Sequence, residues 1–491
     1  DIIRKGYNDM TSIEENPTVN NASTAKGIEI VRIAPRNQGV DIEFRCSGKY
    51  NPYIRLTVCE LKSGKKICES DVFSTSRIFS IGGLLNEVDY TAEVTAFDYD
   101  GKELERSNKR LFRTGYFPGH VINYIHPDDL TYAYSGRFIG TPNIIRLENG
   151  TYIASHDVFD TTGHGSLCLF FVSKDYGKTW NYISRIEKCT WGNLFVRGGR
   201  VYMYGISDCN DGDLVIYCSD DDCVSWSKPT TLFRHKKEFA VRSSPTPFAE
   251  YNGRLWFYFN NYTYDDKAGF QTAVASIAAD ADFMDAKNWA FTPFIKFDAA
   301  WEGTAGEAWG PYMVEKGNML INRDNELVMM LRYNSHRYDI PESNPAQIKS
   351  IILKVDTENP SAPLTFKKII PFNGTFSKFY IRYDEKTDLY YAMLNRMTTN
   401  KIWQRNVLSL YSSYDLENWK VERDLINLED AEWCESNWDS AVQYPTWLIE
   451  GEDIIAAARA AADPRARSAT DWRARMSITA ADTLKCAALC R

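Results

Sequence analysis

The sequence predicts an all-β protein in two parts, a small antiparallel sandwich followed by a β-propeller, a ring of repeated four-stranded units. Three observations carry this prediction. Short stretches such as "IEIVRIAP", "VDIEFRC" and "YIRLTVCEL" alternate apolar and polar residues with the period of two that buries one face of a strand. Aromatic residues make up 14% of the chain and favour pleated, half-buried surfaces. A unit of strand, Asn/Asp/Gly turn, two further strands, acidic turn and Trp recurs roughly every 45–65 residues. At 491 residues the chain is too long for one ordinary core.

Residues 1–26 are polar and read as an irregular leader. The chain opens at Asp1 without Met or signal peptide, so a processed or trimmed product is expected. Residues 27–115 carry the sandwich pattern, ending in "LLNEVDYTAEVTAFDYDG" and "LFRTG". Leu85, Tyr90, Val94, Ala96, Gly101 and Thr114 in these segments resemble the later strands of a fibronectin type III domain, an immunoglobulin-like sandwich. The resemblance implies a tyrosine corner at Tyr90, although the usual strand-B tryptophan is absent.

After the "GYFPGH" hinge, residues 116–491 repeat. "TPNIIRLENGTYIASHDVF…SLCLFFVSKDYGKTW" is the clearest unit, and the turns "LENGTY", "RDNELV" and "YDEKTDLY" mark hairpins in this and later units. Six units are expected, with a seventh available from Val121–Phe138 plus the last residues. The tail after about residue 456 ("AAARAAADPRARSATDWRARM") lacks the aromatic alternation and reads as atypical.

The octet "SKDYGKTW" has a mechanical reading at each position. Asp175 accepts N–H bonds across the turn, Gly177 supplies positive φ, Ser173 satisfies local polar groups, and Trp180 wedges between units. Shorter matches recur at "SDDDCVSW" and "SSYDLENW". The octet resembles the Asp box of the sialidase-like propellers, where it lies between the third and fourth strands, away from the active site. The resemblance covers most of the chain to about residue 460. It implies an exported carbohydrate-active enzyme (secreted, periplasmic or at the cell surface) that acts on an oligosaccharide or polysaccharide without metal or cofactor.

Composition agrees with such a partner. The net charge of −8 disfavours nucleic acid, which needs a basic face. Apolar runs such as "ELVMMLRY" are too short to span a bilayer. The eleven cysteines are odd in number and form no CxxC pair, which argues against zinc.

Sialidases clamp a substrate carboxylate with three arginines and use a Tyr–Glu nucleophile and an Asp acid/base. Here Gly140 in "FIGTPNIIRL" stands where the first arginine is expected, which argues against sialic-acid hydrolysis. "QYPTWLIEGEDII" matches the segment of the sialidase tyrosine and points to Tyr444. "WEGTAGEAWGPYMVE" supplies Glu302, Glu307 and Glu315, of which Glu315 is taken as catalytic. "ASHDVFDTTGHG" offers His156 and Asp157, with Asp160 as a second candidate acid and His164 for binding. Arg242, Arg332, His336, Arg382 and Arg396 are the further candidates for substrate binding. The expected function is hydrolysis of a terminal acidic sugar linkage. The alternatives are uronate elimination on the same fold and a non-catalytic glycan-binding propeller.

Overall fold

The computed structural model describes residues 27–46, 53–73, 77–117, 119–159, 166–209, 211–263, 270–302, 314–333, 348–401, 404–428, 440–462, 476–480 and 484–485. Among these residues the only helical segments are two short 3-10 turns, Ala286–Asn288 and Ala299–Glu302. Everything else regular is strand, as the alternation predicts. No helix among the described residues is long and apolar enough to cross a membrane.

The N-terminal part is two antiparallel sheets. Ile28–Arg36, Gly39–Cys46 and Ile78–Gly82 form one; Lys66–Phe73, Tyr53–Glu60, Asp89–Phe97 and Glu103–Arg106 form the other, with Arg110–Arg113 also on Asp89–Phe97. Ile30, Ile42, Phe44, Leu56, Val94 and Phe112 interdigitate between them. The Tyr90 hydroxyl donates to Leu85 O (3.1 Å) and accepts from Leu85 N (3.0 Å).

Among the described residues six antiparallel sheets follow in chain order, designated I to VI. Sheet I is Phe138–Ile139 and Asn143–Arg146 on Tyr152–Phe159, then Leu167–Ser173 and Asn181–Glu187. Sheet II is Thr190–Arg197, Arg200–Ile206, Leu214–Ser219 and Thr230–Phe233. Sheet III is Phe239–Arg242 and Ala249–Tyr251 on Arg254–Thr263, then Phe270–Ala278 and Trp289–Phe291. Sheet IV is Val314–Ile321, Leu327–Tyr333, Lys349–Lys354 and Thr365–Pro371, and sheet V is Tyr380–Asp384, Leu389–Asn395, Val407–Ser413 and Lys420–Asn427. Sheet VI takes Ser440–Glu450, Asp453–Ala462 and Met476–Ala480 from the end of the chain and His120–Ile125 from before sheet I. The tail after residue 456 therefore continues a strand and adds two more, Met476–Ala480 and the short Leu484–Lys485 on Asp453–Ala462. Val121–Ile125, considered above for a seventh unit, lies in sheet VI.

An apolar wedge fills each joint between sheets, so the ring is closed. Ile153, Phe170, Met203 and Tyr217 fill the I–II joint, and Tyr204, Phe257 and Phe259 the II–III joint. Trp256 and Met329, then Met330 and Phe379, then Met393 and Trp447 fill the next three. Ile122, Ile144, Phe171 and Ile455 complete the VI–I joint. This closed ring of meander sheets is a β-propeller.

The acidic turns connect third and fourth strands in sheets I, II and V. In the first, Gly177 N donates to Ser173 Oγ (2.9 Å), Thr179 N to Asp175 Oδ1 (2.9 Å) and Trp180 Nε1 to Gly177 O (2.9 Å), with Gly177 at φ +77°. Asp221 and Asp415 accept backbone bonds from Ser225 and Asn418 in the same way, and Cys223 and Leu416 take the positive φ without being glycine. Trp180, Trp226 and Trp419 each pack into the joint with the preceding sheet.

At the axis the first strands are irregular in a repeated way. In sheets II, IV and VI two residues bulge out of register, between Thr190 and Asn193, Glu315 and Asn318, and Gln443 and Thr446. The first bulged residue has positive φ each time: Trp191 (49°), Lys316 (61°) and Tyr444 (58°). Each such non-glycine conformation costs of order 1 kcal/mol or more. A girdle of hydrogen bonds runs past these bulges from sheet to sheet. Asn143 Nδ2 donates to Gly192 O (3.4 Å), Asn193 Nδ2 to Thr246 O (2.6 Å) and Met319 N to Pro247 O (3.0 Å). Ile381 N donates to Asn318 Oδ1 (3.0 Å), Lys378 Nζ to Pro445 O (2.6 Å) and Thr446 Oγ1 to Pro142 O (3.0 Å), which closes the circle.

The sandwich docks on sheets I and VI through buried polar contacts. Arg32 Nε donates to Ile122 O (2.6 Å), Tyr182 N to Glu43 Oε2 (2.8 Å) and Ile33 N to Asn123 Oδ1 (3.3 Å). Arg110 Nε meets Asp129 Oδ2 at 2.6 Å, with both side chains essentially excluded from water. Removing one member of such a pair strands the other charge in a low-dielectric interior. Asp129→Ala is expected to cost ~3–5 kcal/mol, read by denaturant unfolding. A cost under ~1 kcal/mol, the range of exposed pairs, would mean that the pair is solvated in solution.

Candidate active site

Strand direction sets where chemistry can gather. In each sheet the first strand leaves one face of the ring and the second returns to it. Arg332 thus lies opposite Glu315, and Arg459 opposite Gln443, beside Tyr444. Arg332 Nη1 donates to Glu315 Oε1 at 3.1 Å, and Lys316 Nζ stands 3.5 Å from Glu315 Oε2. Both Arg332 and Glu315 are buried. Arg405 is held by backbone: its carbonyl accepts from Val442 N (2.9 Å) and Asn395 Nδ2 (3.0 Å), and its Nη2 donates to Phe376 O (3.1 Å).

Tyr444 sits among these cations. The Arg459 guanidinium lies 4.4 Å from its ring centroid and donates to Ile139 O (3.3 Å). Burial alone would raise the phenol's pKa. Arg332, Arg459, Arg405 and Lys316 outweigh that and hold it down at about 8. The site therefore combines an acidified phenol, a carboxylate and several fixed positive charges, an arrangement suited to an anionic ligand.

Glu315, Arg332 and Tyr444 are the sequence-predicted residues that come together. His156 does not join them, and Asp157 is coupled to them only through the charge of Arg459. The His156 ring is fully buried in the VI–I joint, stacked on Phe171 (5.5 Å between centroids). Asn123 Nδ2 meets its Nε2 at 3.0 Å and Asp157 O its Nδ1 at 3.1 Å, which assigns the proton to Nδ1. Burial pushes its pKa down to about 4, against the weaker pull of Asp157 O. Acid/base work by His156 is thereby replaced by a packing role.

Asp157 points the other way along the strand but is used up locally. It accepts from Thr141 N (2.9 Å) and Thr190 Oγ1 (3.0 Å) and is buried. A Cβ at Gly140 would fall 2.0 Å from Asp157 Oδ2. This explains the glycine: the carboxylate fills the space that a side chain at residue 140 would need. The guanidinium that reaches this place belongs to Arg459, and its charge acts on Asp157.

Arg242 lies over the Trp191 ring (4.8 Å), on the II–III side of the axis. Arg382 is elsewhere, near the turn end of its strand. Its Nε bonds Trp447 O and its Nη2 Tyr380 Oη (3.2 Å), on a cavity of about 550 Å³ that includes Arg323, Tyr383 and Glu385. Arg396 is drawn outward in a bidentate pair with Asp424 (3.0 and 2.5 Å). His164 and His336 lie outside the described residues, as do Asp160 and Glu307. Among the described residues no cluster of His, Cys, Asp or Glu is arranged to hold a metal.

Sequence reasoning missed Arg405, Arg459 and Lys316. Arg459 stands in the Ala-rich stretch set aside as atypical, where its spacing of two from the buried Ala457 and Ala461 was the available signal. Lys316 directly follows Glu315 and was legible by adjacency, whereas nothing local marks Arg405.

No family model matches the sequence, and no curated protein does. Solved structures are similar at low identity. A Penicillium chrysogenum α-L-arabinanase is 16% identical over 75% of this chain and 99% of its own, with a TM-score of 0.45. A Hadza microbial sialidase is 10% identical over 94% of this chain and 95% of its own, with a TM-score of 0.47. The α-L-arabinofuranosidase of Fusarium graminearum is 13% identical over 74% of this chain and 98% of its own, with a TM-score of 0.46. Likeness of that degree transfers no activity.

Neutral burial of His156 has a measurable consequence. Between about pH 6.5 and 4 the unfolded chain takes up a proton that the folded one refuses, so stability falls with pH there, by ~3 kcal/mol in total. His156→Gln, which cannot titrate, is expected to show a shallower decline over that window in denaturant unfolding. Identical pH profiles for the two proteins would count against the neutral imidazole.

Proposed function

We propose that this chain is a glycoside hydrolase that removes a terminal acidic sugar from a glycan. The carrying observation is Tyr444, held in a strained bulge with its phenol acidified to about 8 by surrounding cations. A carboxylate nucleophile would repel a carboxylate-bearing sugar, whereas a phenol approaches it uncharged. Arg332, Arg405 and Arg459 form the clamp for the sugar carboxylate, so the guanidinium missing at Gly140 is replaced from sheet VI.

In the reaction, Tyr444 Oη bonds to the anomeric carbon as the bond to the leaving oxygen breaks, and Glu315 takes the phenol proton. The leaving oxygen receives a proton from an acid on the opposite side. Asp157 and Asp160 are the aspartates the sequence offers for that role, and Asp157 is already committed beneath Gly140. Water then attacks the anomeric carbon, giving a proton to the deprotonated acid on the opposite side, as the bond to Tyr444 Oη breaks and Glu315 returns the phenol proton.

The same reading takes the six sheets as six blades (residues 116–491), the N-terminal sheets as a fibronectin type III-like module (27–115), and the acidic turns as structural Asp boxes. It places the protein in a secreted, periplasmic or cell-surface setting, acting on oligosaccharide or polysaccharide.

The test is a panel of acidic and neutral aryl glycosides and oligosaccharides, followed by reducing-sugar release and by the ultraviolet absorbance of an unsaturated uronate. Release of an acidic sugar without that absorbance is expected, with at least about 10³-fold loss in a folded Tyr444→Phe variant. Absorbance with release would replace hydrolysis by elimination. Binding without either signal would make the protein a glycan-binding propeller.

A further inference from the structure

We infer that Lys378 is the positioning residue for Tyr444: from beside sheet V its side-chain amine reaches the two residues after the tyrosine and locks the bulge that aims the phenol. Lys378 is wholly buried. Its Nζ donates to Pro445 O (2.6 Å) and Thr446 Oγ1 (3.1 Å), and it lies 5.2 Å from the Tyr380 ring centroid. Thr446 Oγ1 in turn donates to Pro142 O (3.0 Å), so the bulge is fixed from both sides.

The molecule contains its own control. At the I–II joint Asn143 makes the equivalent contact, donating from the preceding sheet to the second bulged residue, Gly192 O, and to the next side chain, Asn193 Oδ1, both at 3.4 Å. A neutral amide there suffices to hold Trp191. At the V–VI joint the same two positions are held by a buried amine with shorter bonds, although desolvation and the charge of Lys316 both oppose its protonation. Pro445 has no N–H with which to secure the bulge, and Thr446 offers a shorter side chain than Asn193. The longer reach of lysine closes that gap. The bulge it holds carries the phenol that the cation cluster surrounds.

This role rests on Tyr444 being the reacting group, but its test does not need turnover. Alkaline ultraviolet titration of each protein against its own Tyr444→Phe counterpart isolates one phenol. In Lys378→Met, which keeps the length and removes the donors, the bulge is released from Arg332, Arg405, Arg459 and Lys316. The phenol is then expected to titrate near the ordinary ~10 instead of about 8. If that variant does not fold, Thr446→Val, which removes one acceptor and keeps the lysine, is expected to give a smaller rise in the same direction.

Where a cleaved substrate is in hand, kcat falls in Lys378→Met with little change in KM. A lower melting temperature with the phenol titration unmoved, in whichever variant folds, overturns the positioning role. If Tyr444→Phe keeps full activity, the hydrolase reading fails separately, and the titration still decides the role of Lys378.

Discussion

The constraint on which the rest of this molecule depends is the convergence of six first strands on one axis. There the regular ladder cannot continue, because bulged and split strands leave backbone groups without partners, and buried N–H and C=O groups must be satisfied. The girdle from Asn143 through Asn193, Pro247, Asn318 and Lys378 to Thr446 answers that requirement, one contact for each pair of neighbouring sheets. Once the girdle closes, the residues bulging above it have fixed directions. Trp191, Lys316 and Tyr444 are therefore placed by the same local geometry. Architecture and site share one set of bonds.

Above the girdle the electrostatics are lopsided. Arg332, Arg405, Arg459 and Lys316 surround a phenol, with Glu315 in direct contact with two of them. A buried excess of positive charge is unfavourable by itself and is relieved by an anion. The Gly140–Asp157 contact belongs to the same balance. The carboxylate occupies the space beside residue 140 and feels the charge of Arg459.

The sandwich is coupled to this region by a short chain of contacts. Ile33 N bonds Asn123, Asn123 meets His156, and His156 bonds the carbonyl of Asp157, whose carboxylate holds Thr141 at the first strand of sheet I. With the buried Arg110–Asp129 pair at the same interface, the N-terminal sheets are built into the ring and are not a loosely tethered spacer.

Much of this was written locally. Alternation gave the strands, the Asn/Asp/Gly turns gave the hairpins, and "SKDYGKTW" gave a turn closed by side-chain bonds within its own eight residues. Tyr444, Glu315 and Arg332 were legible because each sits in a distinctive local context. The errors have one cause. Whether His156 or Asp157 faces the axis, whether Arg382 and Arg396 turn inward, and which guanidinium approaches Gly140 are decided by partners far away in the chain. Asn123, Trp447, Asp424 and Ile139 are those partners. The sequence by itself determined which segments pair within sheets I to V, since those bonds are short-range, whereas sheet VI joins His120–Ile125 to Met476–Ala480. Only the closed ring decided which charges meet, because the axis joins residues from both ends of the chain and from every sheet between.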